Sequence, residues 1–168
     1  MPELIKTRDA RIDEIDSVSR LLEESYREYS SLVPAEAWES YRQDILDVRG
    51  RLRDSELIVA EFDGRLVGAV TLYLHGSSSL SWPEGWAGIR LLGVLPGYRR
   101  KGVGAALMDE CVRRCRNAGL KTIGLHTTTA MAGARRIYER MGFVRVPQYD
   151  FAPDDGDEAV VLAYRLDI

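Results

Sequence analysis

One stretch constrains the fold more than any other: an apolar run, a Pro-Gly break, a basic turn and an amphipathic segment. It runs from Ile89 to Ala118, IRLLGVLPGYRRKGVGAALMDECVRRCRNA. This order predicts a strand, a turn and a helix, so that the free N–H groups at the start of the helix point at the turn. These donors, the helix dipole and the cations of Arg99, Arg100 and Lys101 suit a phosphate.

Two glycines in this turn, Gly102 and Gly104, let the backbone approach a bulky ligand because they carry no Cβ. Glycine spacing of this kind is common in turns, so the context has to identify the ligand. A dinucleotide site does not fit. The turn lies late in the chain and lacks both a βαβ unit and an acidic residue about 20 positions further on.

Composition favours one compact domain over residues 1–168, since 45% of the 168 residues are hydrophobic. The net charge of −3 argues against nucleic acid or an anionic membrane as partner. No run approaches the ~18 apolar residues of a membrane span, and the first residues lack a signal-peptide core. We therefore expect a cytoplasmic protein.

The two cysteines, Cys111 and Cys115, lie four residues apart on the predicted helix. They are too few and too close for a disulfide scaffold, and no further metal ligands follow them. We interpret them as buried helix residues and expect no metal.

Elsewhere the pattern predicts a single domain in which helices interrupt a largely antiparallel sheet. Asp63-Gly64 predicts a hairpin turn. A stripe from Trp38 to Leu52 predicts one helix, and Thr128 or Thr129 is expected to cap a later short one.

Two loops each have two possible interpretations. Trp82 and Trp86 lie in a turn-rich segment, 76–88, where large aromatic side chains line a pocket or dock on the domain's own surface. The acidic segment 154–158 would attract a cationic substrate if it bordered a site, although a solvated turn is the favoured interpretation.

Two segments resemble motifs of one family, the GNAT superfamily of acyl-CoA-dependent N-acyltransferases. Residues 92–105, LGVLPGYRRKGVGA, resemble its central motif, and residues 134–143, ARRIYERMGF, resemble its A-x-x-x-Y-x-x-x-G-F segment. Because the order of elements also agrees from about residue 3 to 166, the chain is identified as a member. The resemblance implies an α+β fold of three layers, with a central, mostly antiparallel, twisted sheet of about seven strands and about four flanking helices.

The resemblance also implies an activity. An acetyl group would pass from acetyl-CoA to a primary amine by direct attack, the acceptor being a small cationic amine or, with less support, a protein amine. The pyrophosphate would bind the glycine turn, and the pantetheine arm would lie along the preceding strand, where a backbone N–H near Val94 could bind the oxyanion. A homodimer would be compatible with the family. The implied cofactor-binding residues are Leu92, Gly93, Val94, Arg99, Arg100, Lys101, Gly102, Val103, Gly104 and Ala105.

Tyr138 has two interpretations. Periodicity alone makes it a core residue, whereas the resemblance makes it the general acid that protonates the leaving thiolate. A phenol of pKa ~10 can donate to a thiolate whose conjugate acid has a pKa of ~8.5.

Two departures from the family pattern bear on mechanism. Met131 stands where many members have an asparagine, and residues 88–92 contain no carboxylate to act as base. Glu84, His75 and His126 are candidate bases, with Glu84 preferred. The alternative function is a non-catalytic CoA-binding or regulatory module.

Overall fold

The structure, a computed structural model, describes residues 4–75, 82–152 and 160–168. Its seven strands form one sheet in the order β1-β2-β3-β4-β5-β7-β6. The strands are β1 (Ile5–Asp9), β2 (Glu56–Phe62), β3 (Arg65–Tyr73), β4 (Trp86–Val94), β5 (Thr122–Thr128), β6 (Val144–Arg145) and β7 (Val161–Asp167). The helices are α1 (Ile15–Tyr26), α2 (Ala35–Leu46), α3 (Val48–Arg51), α4 (Val103–Asn117) and α5 (Ala132–Met141). Only β4 and β5 pair in parallel, which confirms a mostly antiparallel sheet.

Helices cover both faces of the sheet. Side chains alternate between the faces of a strand, so the neighbours Ile58 and Val59 of β2 enter different cores. Ile58 packs with Leu107 of α4, and Val59 packs with Leu22 of α1. The predicted three-layer arrangement is confirmed.

Two local predictions are wrong. The single helix predicted between Trp38 and Leu52 is divided into α2 and α3, which gives five helices instead of four. Asp47 causes the break, because its backbone is not helical and its carboxylate accepts the N–H of Gly50 at 3.1 Å. Neither predicted threonine caps α5: β5 continues through Thr128, and Met131 takes the N-cap position without a side-chain bond.

Other local predictions are confirmed. Asp63 and Gly64, with φ of 51° and 82°, form the turn between β2 and β3. Cys111 and Cys115 are buried and unpaired on α4. Burial raises the pKa of both thiols, that of Cys115 to about 11, so they remain protonated and are poor metal ligands.

Candidate active site

The most distinctive feature of the sheet is a gap between β4 and β5. The two strands pair only from Trp86↔Thr122 to Ile89↔Leu125. Beyond that point β4 pairs with β3 alone, and β5 pairs with β7. A bulge accompanies the parting, since Leu91 and Leu92 both lie opposite Val70 and Leu91 has a φ of 55°. The sheet is therefore open between β4 and β5 beyond Ile89 and Leu125.

The edge of β4 that faces the gap offers N–H groups. Leu95 donates its N–H to Val67 of β3 at 2.9 Å. Because alternate residues of a strand direct their backbone groups to opposite sides, Leu92 and Val94 direct theirs into the gap. Both of these carbonyls have partners: the Tyr26 hydroxyl donates to Leu92 at 2.7 Å, and Arg99 Nε donates to Val94 at 3.2 Å. The two N–H groups are thus available to a ligand with carbonyl oxygens.

The glycine turn leads from this strand into α4. Arg100 and Gly102 have positive φ values of 63° and 87°, and α4 starts at Val103 without a side-chain cap. The first N–H groups of α4 therefore face the turn, beside the exposed side chains of Arg100 and Lys101. Lys101 Nζ lies 5.8 Å from the centre of the Phe62 ring.

Arg99 differs from its two neighbours because its guanidinium is bound within the chain. In addition to Val94, it donates to the carbonyl of Ser25 at 2.7 Å and pairs with Glu28. The side chain thus joins the end of β4 to the end of α1. Arg100 and Lys101 are the cations of the turn that remain exposed.

Two of the predicted cofactor-binding glycines also make room for helices. A Cβ on Gly104 would lie 2.8 Å from Ile137 of α5, and one on Gly93 would lie 2.9 Å from Leu22 of α1. Gly104 brings α5, and with it Tyr138, against the first turn of α4. The sequence interpretation had given Gly104 only the role of ligand approach.

Tyr138 is both a core residue and a neighbour of the gap. It is only 5% exposed, and its ring centre lies 5.8 Å from that of Phe143. Burial raises the pKa of Tyr138 well above its usual value, and the nearby Tyr41 hydroxyl raises it further. Tyr41 belongs to α2, on the other face of the sheet, so tyrosines from both layers approach the gap. A hydroxyl in this environment stays protonated.

The three candidate bases lie in different places. Glu84 and His75 are exposed beyond the far ends of β4 and β3. Glu84 lies in the turn before Trp86, and at roughly 3.3 Å per residue Trp86 is already about 13 Å along the strand from Arg90. His126 is the first residue of β5 beyond its pairing with β4. The structure brings His126, and neither of the other two, to the gap.

The His126 ring is held by its neighbours. Nε2 lies 2.9 Å from the carbonyl oxygen of Tyr149, which can only accept, so Nε2 carries the proton and Nδ1 is the free acceptor. Trp82 stacks on the ring at 4.5 Å between centres. Burial lowers the pKa of His126, as does Arg90, while the bond to Tyr149 and the charge of Asp150 raise it. The net lowering keeps the imidazole neutral at pH 7.

The tryptophans dock on the chain's own sheet. The Trp82 ring lies 2.7 Å from where a Cβ of Gly124 would be, and it stacks on Trp86 with ring centres 5.5 Å apart. Both alternatives left open by the sequence apply to Trp82, because it packs on the sheet and also stacks on His126 beside the gap. The acidic segment 154–158 lies outside the described residues.

Sequence reasoning missed an ion pair beside the gap. Arg90 of β4 binds Asp44 of α2 through Nη2 and Oδ2 at 2.6 Å. The sequence shows Arg90 only where a carboxylate was expected, and nothing in it pairs two residues 46 positions apart. Tyr26 and Tyr41 occupy apolar positions of the helical pattern, which gives no sign of the roles of their hydroxyl groups.

Within residues 4–75, 82–152 and 160–168, no cluster of three or more His, Cys, Asp or Glu side chains could hold a metal ion. No helix of these ranges has the length and apolar character of a membrane span.

A seven-stranded sheet parted between β4 and β5, with helices on both faces, places the chain in the fold class of the GNAT acetyltransferases. Ard1 from Thermoplasma volcanium has the same fold, with a TM-score of 0.72, 25% identity and 99% of each chain covered. The PaiA N-acetyltransferase from Thermoplasma acidophilum, solved in complex with coenzyme A, matches with a TM-score of 0.71 and 18% identity, over 96% of this chain and 99% of that one.

Sequence comparison identifies the family. The model of the acetyltransferase (GNAT) family matches residues 15–143, so the chain belongs to that family. A mycothiol acetyltransferase from Cellulomonas flavigena is 30% identical over 133 residues, which is 73% of this chain. The match covers only 38% of that relative, so the chain spans less than half of its length.

Proposed function

We propose that the protein is an N-acetyltransferase that moves an acetyl group from acetyl-CoA to a primary amine by direct attack. The observation that carries the proposal is the gap between β4 and β5, which has backbone N–H groups on one edge and Tyr138 close by. Family membership supports the reaction class, and the coenzyme A in the PaiA N-acetyltransferase structure supports the donor.

Acetyl-CoA is assigned to the gap and the turn beside it. The N–H of Leu92 suits an amide carbonyl of the pantetheine arm, which would add to β4 as a strand adds to a sheet edge, and the N–H of Val94 is left for the thioester oxygen. The pyrophosphate suits the start of α4, with its free N–H groups and the exposed cations of Arg100 and Lys101. Arg99 holds the turn in position through its contacts with Ser25 and Glu28.

Attack by the amine on the thioester places negative charge on the carbonyl oxygen, which the N–H of Val94 can stabilise. The thiolate of coenzyme A then leaves, and Tyr138 protonates it. Burial raises the pKa of Tyr138, and the same low-polarity surroundings disfavour the leaving thiolate. The pKa values of Tyr138 and of the coenzyme A thiol therefore rise together, and proton transfer between them stays close to balanced.

The acceptor ammonium must lose a proton before it attacks. We assign that proton to Nδ1 of His126, because His126 lies at the gap and its imidazole is neutral at pH 7. Glu84 does not fit this role, since it is exposed at the opposite end of β4.

We expect kcat at saturating acceptor to rise with pH and then to stay level up to about pH 10, because the raised pKa keeps Tyr138 protonated. In the wild type, His126 should give the pH profile an inflection below about pH 6.5. His126→Gln should remove that inflection and keep the second one, at higher pH, which comes from the amine. Initial rates of the wild type and this variant across pH measure both effects. A fall in rate between pH 8 and 10, or an unchanged lower inflection in the variant, would contradict these roles.

The acceptor is proposed to be a small molecule whose primary amine is a positively charged ammonium at neutral pH. The name of the Cellulomonas flavigena relative, a mycothiol acetyltransferase, supports a small-molecule acceptor. The homodimer remains a prediction.

A thiol-release assay with acetyl-CoA and a panel of primary amines tests the function. We expect free thiol to appear with at least one amine and acetyl-CoA to protect the protein against heat. A non-catalytic CoA-binding module would show the protection without thiol release from any amine.

A further inference from the structure

Arg90 marks the acceptor side of the gap. It is the first residue of β4 beyond the pairing with β5, and its side chain extends toward α2, on the face opposite α4 and α5. The guanidinium donates one hydrogen bond to Asp44, and 27% of the side chain is exposed. Within the described parts of the chain it has no second hydrogen-bond partner, so several of its five N–H donors remain available.

A second guanidinium reinforces the positive charge here. Arg51 is only 8% exposed and donates to the carbonyl oxygens of Asp44 and Ile45. Its Nε is buried and has no partner among the described residues. Burial lowers the pKa of Arg51, and the nearby charge of Arg90 lowers it further, against the opposing effect of Asp44. Two guanidinium groups thus lie near the Asp44 carboxylate, and Asp47 is a second carboxylate close to Arg51.

Aromatic rings surround this pair on the same side. The ring centre of Tyr26 lies 5.9 Å from those of Tyr29 and Tyr41, and Trp38 lies 6.4 Å from Tyr41. Burial raises the pKa of both Tyr26 and Tyr41, and the pKa of Tyr41 reaches about 12. Arg90 is close enough to offset part of this rise. A ligand beside Arg90 therefore meets aromatic surface as well as positive charge.

We propose that the acceptor amine also carries a carboxylate, which Arg90 binds, and an apolar or aromatic body that packs on the partly exposed rings of Tyr41 and Trp38. The class is that of an apolar amino acid or a derivative with a free amine and a free carboxylate. A guanidinium forms short, charge-assisted bonds with a carboxylate but repels a second amine, so a polyamine does not fit. This inference rests on the proposed function, since it names the acceptor of the same site.

Calorimetric titration of the protein saturated with coenzyme A measures the binding of L-phenylalanine and of L-phenylalaninamide, which lacks only the carboxylate. We expect the amino acid to bind about 10- to 100-fold more tightly than the amide, as a charge-assisted hydrogen bond provides. Arg90→Gln should abolish this preference, and Arg90→Lys should retain part of it.

Two further variants make the result specific. Arg90→Gln with Asp44→Asn removes both charges, so that a loss of preference cannot come from an unpaired Asp44. Arg49→Gln breaks an exposed ion pair with Asp16 and should leave the preference intact. Equal or tighter binding of the amide, no binding of either compound, or a preference that survives Arg90→Gln would overturn the inference. Failure of the proposed function gives a different result: the amino acid binds with the expected preference, but acetyl-CoA releases no thiol.

Discussion

Tyr138→Phe is expected to lower kcat by about 100-fold or more, since a positioned general acid contributes about 10²- to 10⁴-fold. The substitution removes one oxygen atom and keeps the ring against Phe143, so the core should remain packed. Binding of acetyl-CoA should change little, because the hydroxyl is proposed to act only when the thiolate leaves. Turnover at saturating acetyl-CoA, together with a titration of coenzyme A, separates the two effects.

Tyr164→Phe is the matched control. Tyr164 is a buried tyrosine of β7 whose hydroxyl donates to Glu139 at 3.2 Å, outside the proposed reaction. Its loss should cost about 1 kcal/mol of unfolding free energy and leave kcat within a few-fold. If Tyr138→Phe retains full turnover, Tyr138 is a core residue only, and the thiolate takes its proton from another source.

Replacing both Arg100 and Lys101 by glutamine is expected to raise the KM for acetyl-CoA by about 10- to 100-fold, because charge-assisted bonds to phosphate are lost. Both side chains are exposed, so folding should be unaffected. The increase should shrink at high salt, where the wild-type attraction is itself screened. Steady-state kinetics at two ionic strengths measures both effects.

The control for this double variant lies at the other end of the same helix. Arg113 and Arg116 are exposed in the last turns of α4, and their replacement by glutamine removes the same charge. We expect that control to leave the KM within about twofold, since screening limits the field of exposed charges to ~10 Å. An equal rise in both double variants would mean that overall charge, and not the turn, attracts acetyl-CoA.

Much of the fold followed from local patterns in the sequence. The amphipathic segment after the glycine turn predicted α4, and Asp63-Gly64 specified the turn between β2 and β3. These predictions succeeded because they depend on contacts between residues that are close in the chain. Asp47 shows the limit of the method, since one side-chain bond to Gly50 ended a helix whose apolar stripe continued.

The sequence alone determined the family, the glycine turn and the place of Tyr138, because each depends on residue types at fixed spacing. Only the tertiary structure decided how the gap is surrounded. Tyr26 reaches the carbonyl of Leu92, and Asp44 reaches Arg90, across 66 and 46 positions of the chain. Such contacts arise when α1 and α2 pack on the sheet, and no local pattern encodes them. The extended course of β4 removes Glu84 from the reaction as we propose it, because a strand of nine residues separates its two ends by about 26 Å.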